Sequence, residues 1–155
     1  MRVAPYVSTK GNEMFKNIKD QLDNPITSQI LRLCVYPSTI EAADKKLTEY
    51  KINKNRNLYG WLENDTIIGI CGYEVHQTSH VEILHIAVDE TARGRGIGGA
   101  MVRALQAQCN LPIKAETDDD AIEFYRKLGF KATEFQKYGV RRWDCTLSVK
   151  TEENK

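Results

Sequence analysis

The sequence holds no apolar run approaching the length of a membrane span. Its first thirty residues, which include Lys10, Lys16 and Lys19, lack the apolar core of a signal peptide. An excess of charge is missing as well: 22 Lys and Arg face 21 Asp and Glu, for a formal net charge of +1. Without a broad cationic field, neither nucleic acid nor a membrane is expected as a partner. Cysteine is sparse. Cys34, Cys71, Cys109 and Cys145 are widely separated, with no CxxC pair and no zinc or iron–sulfur spacing, so no metal is expected. Three of them, Cys71, Cys109 and Cys145, sit in apolar segments and read as small buried thiols. A soluble, reduced, cytoplasmic protein is the simplest reading. With 41% hydrophobic and 28% charged residues in 155, the chain has an ordinary folding composition. That length supplies one core rather than two, so residues 1–155 are read as a single domain.

The first 56 residues read as mainly helical, with at most a short strand near Val3 to Val7. Phe15, Ile18 and Leu22 recur at spacings of three and four, which predicts a helix over 12–22. Pro25 opens a second helix through Ile26, Ile30, Leu31 and Val35, which Pro37 closes. Ser38 and Glu41 have capping-box spacing ahead of Ile40, Ala43, Leu47 and Tyr50. The period then becomes that of a sheet. Strands are predicted over 57–63 and 66–76 around an Asn64-Asp65 turn, and over 81–88. In that last strand Val81, Ile83, His85 and Ala87 alternate with Glu82, Leu84, Ile86 and Val88. A helix follows from Gly98 through Met101, Ala104, Leu105 and Cys109. Then come a strand over 111–116, a helix over 119–128 capped by Gly129, and an antiparallel pair over 130–135 and 140–149. Residues 151–155 read as a frayed tail. Strand, crossover helix and strand at the centre imply an α/β fold with a mixed sheet and helices on its faces.

Between the third strand and its helix lies Val88-Asp89-Glu90-Thr91-Ala92-Arg93-Gly94-Arg95-Gly96-Ile97-Gly98-Gly99. Four glycines in six positions allow close approach to peptide N–H groups, and the helix that follows offers unpaired N–H groups at the positive end of its dipole. Such a loop suits an anion, with Arg93 and Arg95 available for charge-assisted bonds to phosphate. A Walker A loop is excluded, because Gly98 is followed by Gly99 and Ala100 rather than Lys and Ser or Thr. The dinucleotide fingerprint fits poorly, since it normally sits in an opening strand, loop and helix with more doubly wound chain after it.

Arg93, Gly96 and Gly98 match the Gln/Arg-x-x-Gly-x-Gly/Ala loop of the GCN5-related N-acetyltransferase (GNAT) family, and Ala121-Ile122-Glu123-Phe124-Tyr125-Arg126-Lys127-Leu128-Gly129-Phe130 resembles that family's second hallmark. The likeness covers residues 57 to 148. It implies a largely antiparallel central sheet, two splayed parallel central strands and flanking helices, with the helical first third on the acceptor side. It also implies an acetyl-CoA-dependent N-acetyltransferase, an acyltransferase that passes acetyl to a primary amine by direct attack in a ternary complex. An acetyl-CoA-binding sensor without catalysis is the alternative.

By resemblance, Ile86, Ala87 and Val88 present backbone groups to the pantetheine arm. Arg93, Gly94, Arg95, Gly96, Ile97, Gly98 and Gly99 hold the pyrophosphate. Asp118, Ala121, Phe124 and Tyr125 complete the cofactor site, although the family often carries Asn where this chain has Asp118. Tyr125 is the implied acid for the leaving thiolate. Glu82, the one acid in its row, matches the position of the base in the family's histone acetyltransferases, while His85 reads better as a packed or surface residue. Glu116, Asp118, Asp119 and Asp120 form an acidic group that could attract a cationic amine or serve a helix start. Tyr36, Tyr59, Trp61, Tyr73, Tyr138 and Trp143 supply aromatic surface near an acceptor of unassigned identity, small molecule or protein amine. Homodimers occur in the family, and no interface is legible in the sequence.

Overall fold

The computed structural model describes Tyr6–Val7 and residues 12 to 149. The tail over 151–155 and most of the strand expected near Val3 lie outside the described residues. Among the described residues, eight strands form one sheet in the order β1-β2-β3-β4-β5-β6-β8-β7. They are β1 (Tyr6–Val7), β2 (Glu13–Asn17), β3 (Arg56–Glu63), β4 (Thr66–His76), β5 (His80–Val88), β6 (Ile113–Thr117), β7 (Lys131–Lys137) and β8 (Val140–Leu147). Helices α1 (Pro25–Leu31) and α2 (Ile40–Ile52) cover one face, and α3 (Ile97–Cys109) and α4 (Ile122–Lys127) cover the other. Every pairing is antiparallel except that of β5 with β6.

The helix predicted over 12–22 is instead β2 followed by a short 3-10 turn over Lys19–Gln21. Phe15 and Ile18, three residues apart, satisfy a helical stripe, but Glu13 and Phe15 are buried with Met14 and Lys16 half-buried between them, which is the period of a strand. β3 supplies the ladder, pairing Phe15 with Trp61, and this long-range pairing overrides a weak local preference. Among the described residues up to 56, helix still outweighs strand, with β1 and β2 as the strand part.

The other helix starts follow local chemistry. Asn24 accepts from Ile26 N–H with Pro25 in the first turn of α1. The cap of α2 is Thr39, whose Oγ1 accepts from Ala42 N–H at 3.1 Å. Ser38, the expected cap, instead donates to Arg32 O at 2.7 Å. At the β3–β4 turn Asn64 and Asp65 both have positive φ, the backbone that a two-residue hairpin demands.

The alternation predicted for β5 breaks in the middle. Gly72 pairs with His85 but Tyr73 pairs with Ile83, so Leu84 is the extra residue of a bulge. Val81, Ile83, Ile86 and Val88 consequently share the face under α3 and α4, while Leu84 and Ala87 pack toward α1 and α2. The bulge also ends the parallel ladder. β5 pairs with β6 only from Val81 to Ile83, and the two strands part beyond it. A fold of this kind is stabilised mainly by its two apolar layers, in which a fully buried Leu or Ile such as Leu58, Ile70 or Leu105 contributes roughly 1.5–3 kcal/mol.

Candidate active site

The parting of β5 from β6 opens a cleft of about 410 Å3. Ile86, Ala87 and Val88 form one wall, the loop residues Arg93, Gly94, Gly96, Ile97, Gly98 and Gly99 a second, and Ala121, Phe124 and Tyr125 a third. The two sequence motifs thus meet across one space. Leu33 and Ala92 also line it. Leu33 was not legible as a site residue, because it lies in the short 3-10 turn after α1, far from either motif.

The loop is formed as an anion site. No side chain caps α3, and its first helical bond runs from Ala100 N–H to Gly96 O at 3.0 Å, which leaves the N–H groups of Ile97, Gly98 and Gly99 ahead of it. Gly96 sits at φ +76°, a conformation costing other residues roughly 1–2 kcal/mol. Gly98 is needed for another reason: a Cβ there would lie 3.0 Å and 3.3 Å from ring carbons of Phe124. The glycine of the first motif is what lets the aromatic ring of the second pack against the helix start. These features fit the pyrophosphate and thioester arm of acetyl-CoA.

Two residues expected at the cofactor turn elsewhere. The Arg95 guanidinium pairs with Glu63 at the β3–β4 turn and lies outside the cleft lining, whereas Arg93 is in it. Asp118 spends its Oδ1 on the N–H groups of Asp120 and Ala121, each at 3.0 Å, and so shapes the approach to α4 without lining the cleft. α4 itself begins at Ile122, later than the predicted 119. Its end matches expectation. Gly129 has φ +97°, its N–H bonds Arg126 O, and Phe130 N–H bonds Tyr125 O at 3.1 Å, the paired bonds of a Schellman cap.

That cap fixes Tyr125. Its ring packs edge-on against Phe124 and Phe130, at centroid distances of 5.0 Å and 5.2 Å. Burial holds its phenol well above the usual tyrosine range, with nearby Cys71, Cys145, Cys34 and Asp118 adding to the effect. Tyr125 is therefore protonated across the neutral range, the state a proton donor requires. Burial pushes the Cys34 thiol up to about 12, offset in part by the nearby Ile86 backbone. The thiol in turn donates to Leu31 O at 3.3 Å.

Glu82 is not part of the cleft lining. It stands one residue before the end of the parallel ladder, at the vertex of the splay, with Oε1 2.9 Å from His76 Nε2. His76 also reaches Glu74 at 3.6 Å, and Glu74 pairs with Arg56 at 2.9 Å. Two members of the acidic group at the end of β6 meet the last hairpin: Glu116 pairs with Lys137 and Arg142, and Asp119 with Arg141. Asp119 also accepts from Trp143 Nε1 at 2.7 Å, and Trp143 lies against the guanidinium groups of Arg126 and Arg141. Of the aromatic residues considered for the acceptor side, Trp61 is buried against Glu13, while Tyr36 and Tyr138 stand 98% and 95% exposed on the α1–α2 and β7–β8 connections.

His85 is a packed residue, as read. Its Nδ1 lies 2.6 Å from the Tyr50 hydroxyl, and the Tyr50 ring lies so close over Gly72 that a Cβ there would fall 1.8 Å from Tyr50 Oη. Burial, aided by Lys46 and Arg56 against Glu49, lowers the His85 pKa to about 4. Neutral His85 accepts from Tyr50, which puts its own proton on Nε2. Because the folded pKa is depressed, this pair's contribution is complete above about pH 6.5 and is lost as pH falls from there through about 4. Urea unfolding of the parent should therefore lose roughly 2–3 kcal/mol more across that window than does His85→Gln. Parallel pH profiles for the two proteins would contradict this.

With fold and cleft in view, comparison with known proteins agrees. Residues 25–130 match the family described as Acetyltransferase (GNAT) family. The chain belongs to the GNAT acetyltransferase family. An uncharacterized N-acetyltransferase encoded in the lysA 3' region of Bacillus methanolicus is 36% identical over 67 residues, which are 43% of this chain and 56% of that protein. The chain thus spans little more than half the length of that curated relative. The fold is shared with a GNAT family acetyltransferase from Elizabethkingia anophelis solved with acetyl-CoA bound, at 20% identity and a TM-score of 0.66 over 89% of this chain and 99% of that one. It is shared also with the aminoglycoside 6'-N-acetyltransferase of Enterococcus faecium, at 18% identity and a TM-score of 0.70 over 89% and 98%. Among the described residues no helix is long and apolar enough to cross a membrane.

Proposed function

We propose that this chain transfers the acetyl group of acetyl-CoA to a primary amine by direct attack in a ternary complex. The observation that carries the reading is one continuous cleft joining the free edge of β5 at Ile86–Val88, the uncapped start of α3 and the Tyr125 phenol. In it the N–H groups of Ile97, Gly98 and Gly99, with Arg93, bind the pyrophosphate. The edge of β5 pairs with the extended arm as an added strand would. The amine nitrogen forms its bond to the acetyl carbon as the carbon–sulfur bond breaks. Tyr125 gives its proton to the departing thiolate, and Glu82, through water, takes the proton shed by the amine.

The test is thiol release from acetyl-CoA with a panel comprising a polyamine, an aminoglycoside, an amino-acid derivative and a peptide N-terminus, run across pH for the parent and Glu82→Gln. At least one acceptor should drive release, with an acidic-side limb that is common to acceptors of different pKa and absent from Glu82→Gln. Acetyl-CoA binding without release for any acceptor would support a sensor instead. An unchanged limb in the variant would remove Glu82 as the base.

A further inference from the structure

The turn joining β4 to β5 places the ring of His76. Ser79 N–H bonds His76 O at 3.0 Å, and His80 lies opposite His76 in the ladder. The two imidazoles stack, with centroids 4.5 Å apart and planes 14° from parallel. The Ser79 hydroxyl, 2.9 Å from His80 Nδ1, holds the second ring. His76 Nε2 then lies 2.9 Å from Glu82 Oε1. An ionised carboxylate can only accept, so Nε2 carries the hydrogen of this bond.

Glu74 is the other carboxylate beside this ring, and Arg56 engages it. Glu74 Oε2 stands 3.6 Å from His76 Nε2, too far for a hydrogen bond, while its Oε1 accepts from Arg56 Nε at 2.9 Å. Glu49 of α2 lies 3.3 Å from Arg56 Nη1 and steadies that guanidinium. The ladder sets this order: Arg56 lies opposite Glu74, Glu74 opposite Glu82 and Glu82 opposite Lys114, with His76 on the diagonal to Glu82. A pair as exposed as His76 and Glu82 adds little to stability. What the arrangement does supply is a carboxylate with one oxygen engaged by a stacked ring, at the vertex where β5 and β6 part.

We propose that His76 is a positioning residue for acetyl transfer. Its Nε2–H holds Oε1 of Glu82 and leaves Oε2 to receive a proton from the relay water, as that water takes the proton shed by the amine. His76 itself neither gains nor loses a proton in the step. The inference rests on the reading of Glu82 as the base, and it adds the group that sets which way that base faces. Orientation of this kind acts on the chemical step and not on acetyl-CoA binding, since His76 does not line the cofactor cleft.

A double-mutant cycle tests this, with kcat and the KM for acetyl-CoA measured on whichever acceptor of the amine panel drives thiol release fastest. His76→Leu should lower kcat by roughly tenfold and leave the KM for acetyl-CoA unchanged. The same substitution made in Glu82→Gln should change kcat by less than about twofold, because the base it positions is already gone. His76→Gln, whose amide N–H can reach the place of the imidazole Nε2, should restore most of the rate. Parent-like kcat in His76→Leu would overturn the inference and leave Glu82 as the base. So would equal slowing in both backgrounds, the mark of a structural role, or a His76→Gln variant as slow as His76→Leu. Parent-like kcat in Glu82→Gln alone, or no release with any acceptor, would remove the underlying reading and this inference with it.

Discussion

Tyr125→Phe should slow acetyl transfer by about 100-fold while acetyl-CoA affinity stays within roughly twofold, because a positioned proton donor contributes in the transition state and little in the ground state. The phenylalanine ring keeps the edge-on packing against Phe124 and Phe130, so the substitution removes one hydroxyl from an otherwise intact wall. The hydroxyl is protonated at neutral pH, as an ordinary tyrosine is, and burial keeps it so to higher pH, while an unsupported thiolate is the poorer leaving group without it. Pre-steady-state thiol release under saturating acetyl-CoA isolates the step. If release is as fast in Tyr125→Phe as in the parent when chemistry limits the rate, the acid is another group.

Gly98→Val attacks binding rather than chemistry. Even a bare Cβ at this position would lie 3.0 Å from the Phe124 ring, and two further methyl groups must displace that ring, the loop or both. Since Ile97, Gly98 and Gly99 contribute the free N–H groups at the start of α3, acetyl-CoA affinity should fall by about 100-fold, equivalent to nearly 3 kcal/mol. Calorimetry on variant protein that retains its circular dichroism spectrum gives the answer directly. Gly96→Val should also weaken binding, through strain at φ +76° rather than contact, since nothing lies within 4 Å of its Cβ position. Parent-like affinity in both variants would remove the loop from the cofactor site.

These two motifs were readable from sequence because each acts locally. A glycine-rich turn before a helix, or Tyr125 ahead of a Gly129 cap, carries its geometry within a few residues. What the sequence hid depends on distant chain. β2 is a strand because β3 pairs with it, and five residues are too few for a period of two to be told from one of three or four. The bulge at Leu84 shifts His85 against Tyr50, a residue of α2, and nothing in the run Val81 to Val88 announces that contact. Arg95 reads as a phosphate ligand until Glu63 is brought beside it by the β3–β4 turn. Glu116 and Asp119 read as an open acidic group until the last hairpin delivers Lys137, Arg141 and Arg142. Leu33 reaches the cleft only because α1 ends over the splayed end of β5.

The most direct test of the account follows the acetyl group itself. Enzyme mixed with acetyl-CoA carrying 13C in the acetyl group and with an accepted amine should yield the label on the amine nitrogen and free CoA in equal amounts, with no acetyl mass added to the protein at any quench time. Label appearing on the protein before the amine, or CoA released only as acetate is formed, would contradict direct transfer in this cleft.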